Sequence, residues 1–127
     1  MQKHKDSKFL FPCSNVLKNQ MNKSLEESGL EYTKAQMYKV VCYDLSDLSD
    51  VKYDMLVFFS PTGVKSLLEN FPNFKQDETR LAVFGATTIK SVEDRGLRVD
   101  IAAPNKKAPS MSMALDQYIK EANKRRR

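Results

Sequence analysis

An α/β fold, built on a parallel sheet with helices on both faces, is what the sequence predicts. Three observations carry this. The run M-L-V-F-F at Met55 to Phe59 has strand character, stops at Ser60-Pro61-Thr62-Gly63 and gives way to a helical pattern from Val64. The layout then recurs: Leu81-Ala82-Val83-Phe84 ends at Gly85-Ala86-Thr87-Thr88, and another helix begins. The chain reads β-α-β and then β-α-β-α-β-α, and strands that each feed a helix through a short Ser/Thr/Gly turn suggest a parallel sheet.

The elements follow in order. Residues 1–7 are polar and are expected to be a disordered tail. Lys8 to Pro12 reads as a short strand. From Val16 to Ser28, Val16, Leu17, Met21 and Leu25 recur at helical spacing, and Gly29 supplies a C-cap. Glu31 to Tyr43 is rich in Tyr, Val and Met, which suits a strand. Asp44 to Tyr53 reads as a loop or one short helical turn. A strand over Met55 to Phe59 and a helix over Thr62 to Asn70 come next, ended by Phe71-Pro72-Asn73-Phe74. Arg80 to Phe84 is a strand and Thr87 to Arg95 a helix, stopped by Gly96. Arg98 to Ala102 is a short strand, Ala103 to Pro109 a loop with two prolines, and Ser110 to Ala122 the last helix, with Ser110 as its N-cap. A parallel crossover normally takes a dozen or more residues and a helix. The join between the second and third strands holds only a marginal one, so the expected organisation is a strand–helix–strand unit over 8–41, a connector over 42–54, strand–helix repeats over 55–122 that complete an α/β domain, and a basic tail over 123–127.

A chain of 127 residues, 41% of them hydrophobic, supports one domain of ordinary soluble composition. No run approaches the ~20 apolar residues that span a bilayer, and the polar start has no signal-peptide core, so a cytoplasmic location without membrane contact is expected. The net charge is +5, but Lys124-Arg125-Arg126-Arg127 holds four of those charges and leaves the remainder at +1, a poor basis for nucleic-acid binding. Cys13 and Cys42 form no C-x-x-C motif and read as buried, reduced thiols. There is one histidine, His4, in the polar tail, and therefore no Ser-His or Cys-His pair and no metal-spaced histidines. Neither glycine-rich phosphate-loop pattern occurs, and no acidic cluster of the receiver type sits at the strand ends. Neither a metal nor a cofactor is expected.

What remains at the strand ends is neutral: Ser14 and Asn15, Ser60 and Thr62, Thr87 and Thr88. Helix capping alone accounts for most such residues. Capping does not oppose ligand binding, because both use the same N–H groups at helix N-termini. In parallel sheets ligands sit beyond the carboxyl ends of the strands, and three such turns favour a polyanionic partner.

The pair F-F-S-P-T-G-V and V-F-G-A-T-T-I-K, at this spacing, resembles the C-terminal half of the uroporphyrinogen-III synthase family. L-F-P-C-S-N followed by a helix and G-L-E-Y resembles that family's strand–helix–strand unit. A-Q-M-Y-K-V-V carries a tyrosine where the family has one, and A-A-P-N-K-K-A-P-S-M-S-M-A-L leads into the last helix in the same way. The resemblance runs from about Phe9 to Ile119. It implies a flavodoxin-like parallel sheet. In the family two such α/β domains are joined by a two-stranded connector, in chains about twice as long. The N-terminal half has no counterpart here, so the expectation is either an excised piece or a short protein that closes on itself or exchanges elements with a second copy, as a domain-swapped homodimer.

The resemblance also implies a reaction. The family's substrate is hydroxymethylbilane, a linear tetrapyrrole with eight carboxylates. It loses its terminal hydroxyl as water, inverts ring D through a spiro intermediate and closes to the macrocycle, in tetrapyrrole and haem biosynthesis, without a cofactor. Amides and hydroxyls suit such a molecule, and, carried over by motif, Ser60, Thr62 and Gly63 match one family turn and Thr87 and Thr88 another, which the resemblance implies as substrate-binding positions. Lys18 sits at a commonly basic position, which a solvated lysine also explains. Tyr38 matches the family tyrosine and is the plausible proton donor, an aromatic packed at a strand end being the alternative. Against this lyase/cyclase stands a reading from another class, a non-catalytic α/β module that binds an anionic ligand or a protein partner.

Overall fold

Parallel pairing joins the strands throughout the computed structural model, which describes residues 4, 6–17 and 19–125. The chain divides into two compact units, 1–42 and 43–127. The expected tails at 1–7 and 123–127 fall partly outside the described residues, and within them α4 continues through Lys124 and Arg125.

The first unit is β1 (Phe9–Ser14), α1 (Asn19–Glu27) and β2 (Tyr32–Tyr38). The two strands form a two-stranded parallel sheet in register from Phe9 opposite Tyr32 to Cys13 opposite Gln36, with a bulge that sets Ser14 opposite Tyr38. The Ser28 hydroxyl donates to the Leu25 carbonyl at 2.6 Å and ends α1, and Lys34 Nζ on β2 reaches Asn22 Oδ1 on α1 at 2.7 Å. Among the described residues of 1–42 none is buried.

Strand β2 stops well short of the expected Tyr43. The reason is a side chain distant in sequence: Asn15 takes both backbone groups of Val40, accepting from its N–H at 2.7 Å and donating to its carbonyl at 3.1 Å, and this clamp displaces the ladder. Cys42 therefore lies beyond the strand and is exposed, and Cys13 is half-buried, which corrects the expectation of two buried thiols.

The second unit holds β3 (Met55–Phe58), α2 (Pro61–Asn70), β4 (Arg80–Phe84), α3 (Ala86–Glu93), β5 (Ile101–Ala103) and α4 (Met111–Arg125), preceded by one 3-10 turn at Ser46–Leu48. Its sheet is parallel in the order β3-β4-β5. Successive side chains of a strand face opposite sides, and the core divides accordingly. Leu81 and Val83 of β4 and Phe58 of β3 pack with Val64 of α2 and Val92 of α3. Ala82 of β4 and Ile101 and Ala103 of β5 pack with Met111 and Ala114 of α4. Helices α2 and α3 thus cover one face and α4 the other.

Strand β5 begins at Ile101 rather than Arg98. Asp100 donates its N–H to the Leu81 carbonyl but takes the Leu81 N–H on its carboxylate, at 2.9 Å, so a side chain replaces the ladder there. Buried Gln76 completes this knot at the amino ends of the strands. Its Nε2 donates to the Thr79 and Arg98 carbonyls and to Asp100 Oδ2, and its Oε1 accepts from Arg98 N–H at 2.7 Å. Burial opposes ionisation of Asp100, but the Arg98 guanidinium and the Leu81 N–H outweigh it and hold the carboxyl below its usual range.

Candidate functional site

Because β3, β4 and β5 run parallel, the turns that follow them share one edge of the sheet. The first turn is set by Ser60, which is extended (φ −152°, ψ 154°) and caps α2. Its Oγ accepts the Gly63 N–H at 3.3 Å, its carbonyl accepts the same N–H at 3.1 Å, and Pro61 opens the helix. Ser60 is exposed, while Thr62 and Gly63 are half-buried. A Cβ on Gly63 would stand 3.4 Å from the Phe58 ring, so the turn lies close on the core.

The second turn is built on Gly85. Its N–H donates to the Ala103 carbonyl at 2.7 Å and extends the sheet, and its carbonyl accepts the N–H groups of Thr88 and Ile89. Its φ of +84° with ψ of 144° is a conformation that L residues rarely adopt, and α3 starts with no side-chain cap. Thr87 is exposed, but Thr88 is 1% exposed, within the core. Of the two threonines, the hydroxyl on the surface is that of Thr87.

The third turn follows β5. Asn105 Oδ1 accepts the N–H groups of Lys107 and Ala108, and its amide donates to the Ala102 carbonyl, each at 2.9 Å. This holds exposed Lys106 and Lys107 just beyond the strand end. Ser110 then caps α4, accepting the Met113 N–H at 3.2 Å. The site reading passed over Asn105 and the two lysines, although P-N-K-K directly after a strand was the signal for them.

Charge is distributed unevenly along these segments. No Asp or Glu occurs in 55–68, 81–92 or 101–115, and acidic residues return at Glu69 and Glu93 in the last turns of α2 and α3 and at Asp116 in the second turn of α4. The edge presents hydroxyls, helix N-termini and lysines, an arrangement suited to carboxylates. Phe59, 65% exposed, stands there with its ring centroid 5.9 Å from that of Phe84.

The remaining candidates belong to the first unit. Ser14 closes a local turn, donating to the Val16 carbonyl at 2.9 Å and accepting the Val16 N–H at 3.2 Å. Asn15 is taken up by Val40. Tyr38, the partner of Ser14 in the sheet, is 63% exposed. Lys18 lies outside the described residues. No group of three metal-ligating side chains occurs among the described residues, and none of their helices is long and apolar enough to cross a membrane.

Comparison with known proteins agrees with this architecture. No curated protein matches the chain. Among solved structures, the crystal structure of uroporphyrinogen-III synthetase from Helicobacter pylori 26695 is similar, with a TM-score of 0.69 and 19% sequence identity over 94% of this chain and 55% of that one. The chain thus spans little more than half the length of that relative, and the likeness shows the fold. The profile of the family described as uroporphyrinogen-III synthase HemD matches residues 1–112, most of the chain, and on that match the chain belongs to the uroporphyrinogen-III synthase family.

Proposed function

We propose that this chain is a uroporphyrinogen-III synthase that cyclises hydroxymethylbilane with inversion of ring D and loss of water. The observation that carries the reading is the sheet edge free of acidic residues, where Ser60, Thr87 and Lys106–Lys107 follow three adjacent parallel strands. A substrate with many carboxylates finds there neutral donors and cations and no repelling charge.

Ser60, Thr62 and the Gly63 turn hold carboxylates at the start of α2, and Thr87 does so at the start of α3, with Thr88 fixing the turn from beneath. Within the first unit, Ser14, Asn15 and Lys18 are assigned to carboxylates by the same match to the family's motifs. Tyr38 supplies the proton: its hydroxyl protonates the departing hydroxyl, the electron pair of the neighbouring pyrrole expels water, and an azafulvene remains. Its terminal carbon bonds to the substituted carbon of ring D. The spiro intermediate opens and recloses with that ring inverted, and loss of one ring proton returns the proton first delivered. The protein's contribution is to hold a flexible chain in the reactive shape. The location proposed is the cytoplasm.

The test generates hydroxymethylbilane enzymatically in the presence of this chain and resolves the porphyrin isomers after oxidation. Isomer III in excess over the spontaneous isomer I is the expected result. Isomer I alone overturns the reading in favour of a non-catalytic anion- or protein-binding module.

A further inference from the structure

The three turns at the carboxyl edge of the second unit are built in different ways. Those after β3 and β4 run straight into helices, with Ser60 capping α2 and Gly85 starting α3. The turn after β5 is longer. Ala103 and Ala108 are each 1% exposed, and between them Pro104, Asn105, Lys106 and Lys107 all stand exposed. The two alanines pack in one cluster with Met111 and Ala114 of α4, so the loop is anchored in the core at both ends.

Asn105 organises the residues between these anchors. Its amide donates to the Ala102 carbonyl on β5, and its Oδ1 accepts the N–H groups of Lys107 and Ala108, each at 2.9 Å. Its own N–H donates to the Ala108 carbonyl, also at 2.9 Å. From the other side, Gln117 of α4 donates to the Lys107 carbonyl at 3.1 Å. Asparagine suits this place because one short side chain carries both a donor and an acceptor. Strand and helix together hold the backbone that carries the two lysines.

What the loop presents is uncompensated charge. The lysines of the neighbouring helices are neutralised locally: Lys65 by Glu69 at 3.2 Å, Lys90 by Asp94 at 3.8 Å and Lys120 by Asp116 at 2.8 Å. Lys106 and Lys107 have no ion-pair partner among the described residues, and no acidic residue occurs in 101–115. Adjacent like charges repel, and an anion placed beside them relieves that repulsion. On a mobile loop a lysine must give up backbone as well as side-chain freedom to grip an anion. On a fixed loop only the side chain is ordered.

We propose that Asn105 is a positioning residue, which fixes the loop so that the Lys106 and Lys107 ammonium groups form a paired cation site for substrate carboxylates just beyond β5. Asn105 acts on affinity only through those two lysines. The proposal rests on the reading of this edge as a carboxylate site, and it does not depend on the ring inversion.

The test measures binding of the full chain to uroporphyrin III, a fluorescent macrocycle with eight carboxylates, over a series of salt concentrations. For the wild type the dissociation constant rises with salt, because exposed ion pairs are screened. The double variant Lys106→Gln/Lys107→Gln is expected to bind roughly fivefold to tenfold more weakly at low salt, with a flatter salt dependence. Asn105→Ala removes no charge, yet is expected to produce both effects to a similar extent. Added to the double variant, Asn105→Ala should change affinity by less than about twofold, because no charge is left to position. Gln117→Ala loosens the same loop from an exposed helix position. It is expected to act in the same direction, more weakly and again only while the lysines are present, which keeps the test decisive if Asn105→Ala lowers stability.

Asn105→Ala and Gln117→Ala variants with the affinity and salt dependence of the wild type overturn the positioning role. So does a loss of affinity that is as large with the glutamines in place as with the lysines. A wild-type chain that does not bind the macrocycle, or binds it without salt dependence, overturns the cation site. The outcome is separable from that of the catalytic reading. Lysine-dependent binding by a chain that forms only isomer I leaves this proposal standing and removes that one. Isomer III formed with equal KM by the wild type and by Lys106→Gln/Lys107→Gln does the reverse.

Discussion

Thr87 and Thr88 are adjacent and chemically alike, yet one is exposed and the other enclosed in the core. Nothing in G-A-T-T tells which is which, because the answer depends on the angle at which Gly85 launches α3. Their substitutions should separate. Thr87→Val removes a hydroxyl from the sheet edge, and a lost hydrogen bond to a carboxylate is worth about 1.5–3 kcal/mol, so isomer-III formation should fall roughly tenfold or more while the unfolding midpoint stays in place. Thr88→Val should instead alter the unfolding midpoint and leave turnover near normal. Steady-state assays and urea titrations on the pair distinguish the two effects, and equal kinetics for wild type and Thr87→Val would leave Thr87 a helix-start residue only. Tyr38 offers a sharper test. As the proton donor it cannot be replaced by phenylalanine, so Tyr38→Phe should lose most turnover with the far-ultraviolet spectrum unchanged. Near-normal turnover in that variant removes its catalytic role.

The elements that were legible in the sequence are those whose ends are set by neighbours in the chain. The turn Ser60-Pro61-Thr62-Gly63 predicts a helix from about Thr62, and the structure starts α2 one residue earlier, at Pro61, with Ser60 as cap. The ends that were not legible are set by distant side chains. Asn15 reaches across to Val40 and ends β2, and Asp100 takes the Leu81 N–H and delays β5. Only the folded chain brings such pairs together. The Asp100 knot has a signature in pH. Its native pKa is depressed, so its contribution is complete above the unfolded value of about 4 and is lost as pH falls through the native value. Asp100→Asn should cost about 1–3 kcal/mol at neutral pH. The deficit relative to wild type should shrink as pH falls below about 4, read by denaturant unfolding at a series of pH values. A constant deficit would mean that the carboxylate charge contributes nothing.

At the scale of the whole chain, the parallel α/β class and the family were legible because turn motifs recur at fixed places along the strands. The uneven strength of the two units was not, since hydrophobic residues such as Leu10, Met37 and Val41 occur in the first unit as freely as in the second. The difference lies in how many layers enclose them: every buried described residue lies beyond residue 42. Amide exchange should therefore be biphasic. Amides of β4 should exchange only on global unfolding, while those of β1 and β2 should exchange through local opening. Uniform protection across both units would contradict this. The same asymmetry sets where the chain tolerates mutation. A substitution in the first unit meets no enclosed neighbours and escapes the packing constraints that govern β4, so the sequence of residues 8–42 can drift while the fold of 55–125 persists. Variation there would be limited by the pairing of β1 with β2 and by the Asn15–Val40 clamp rather than by a core of its own.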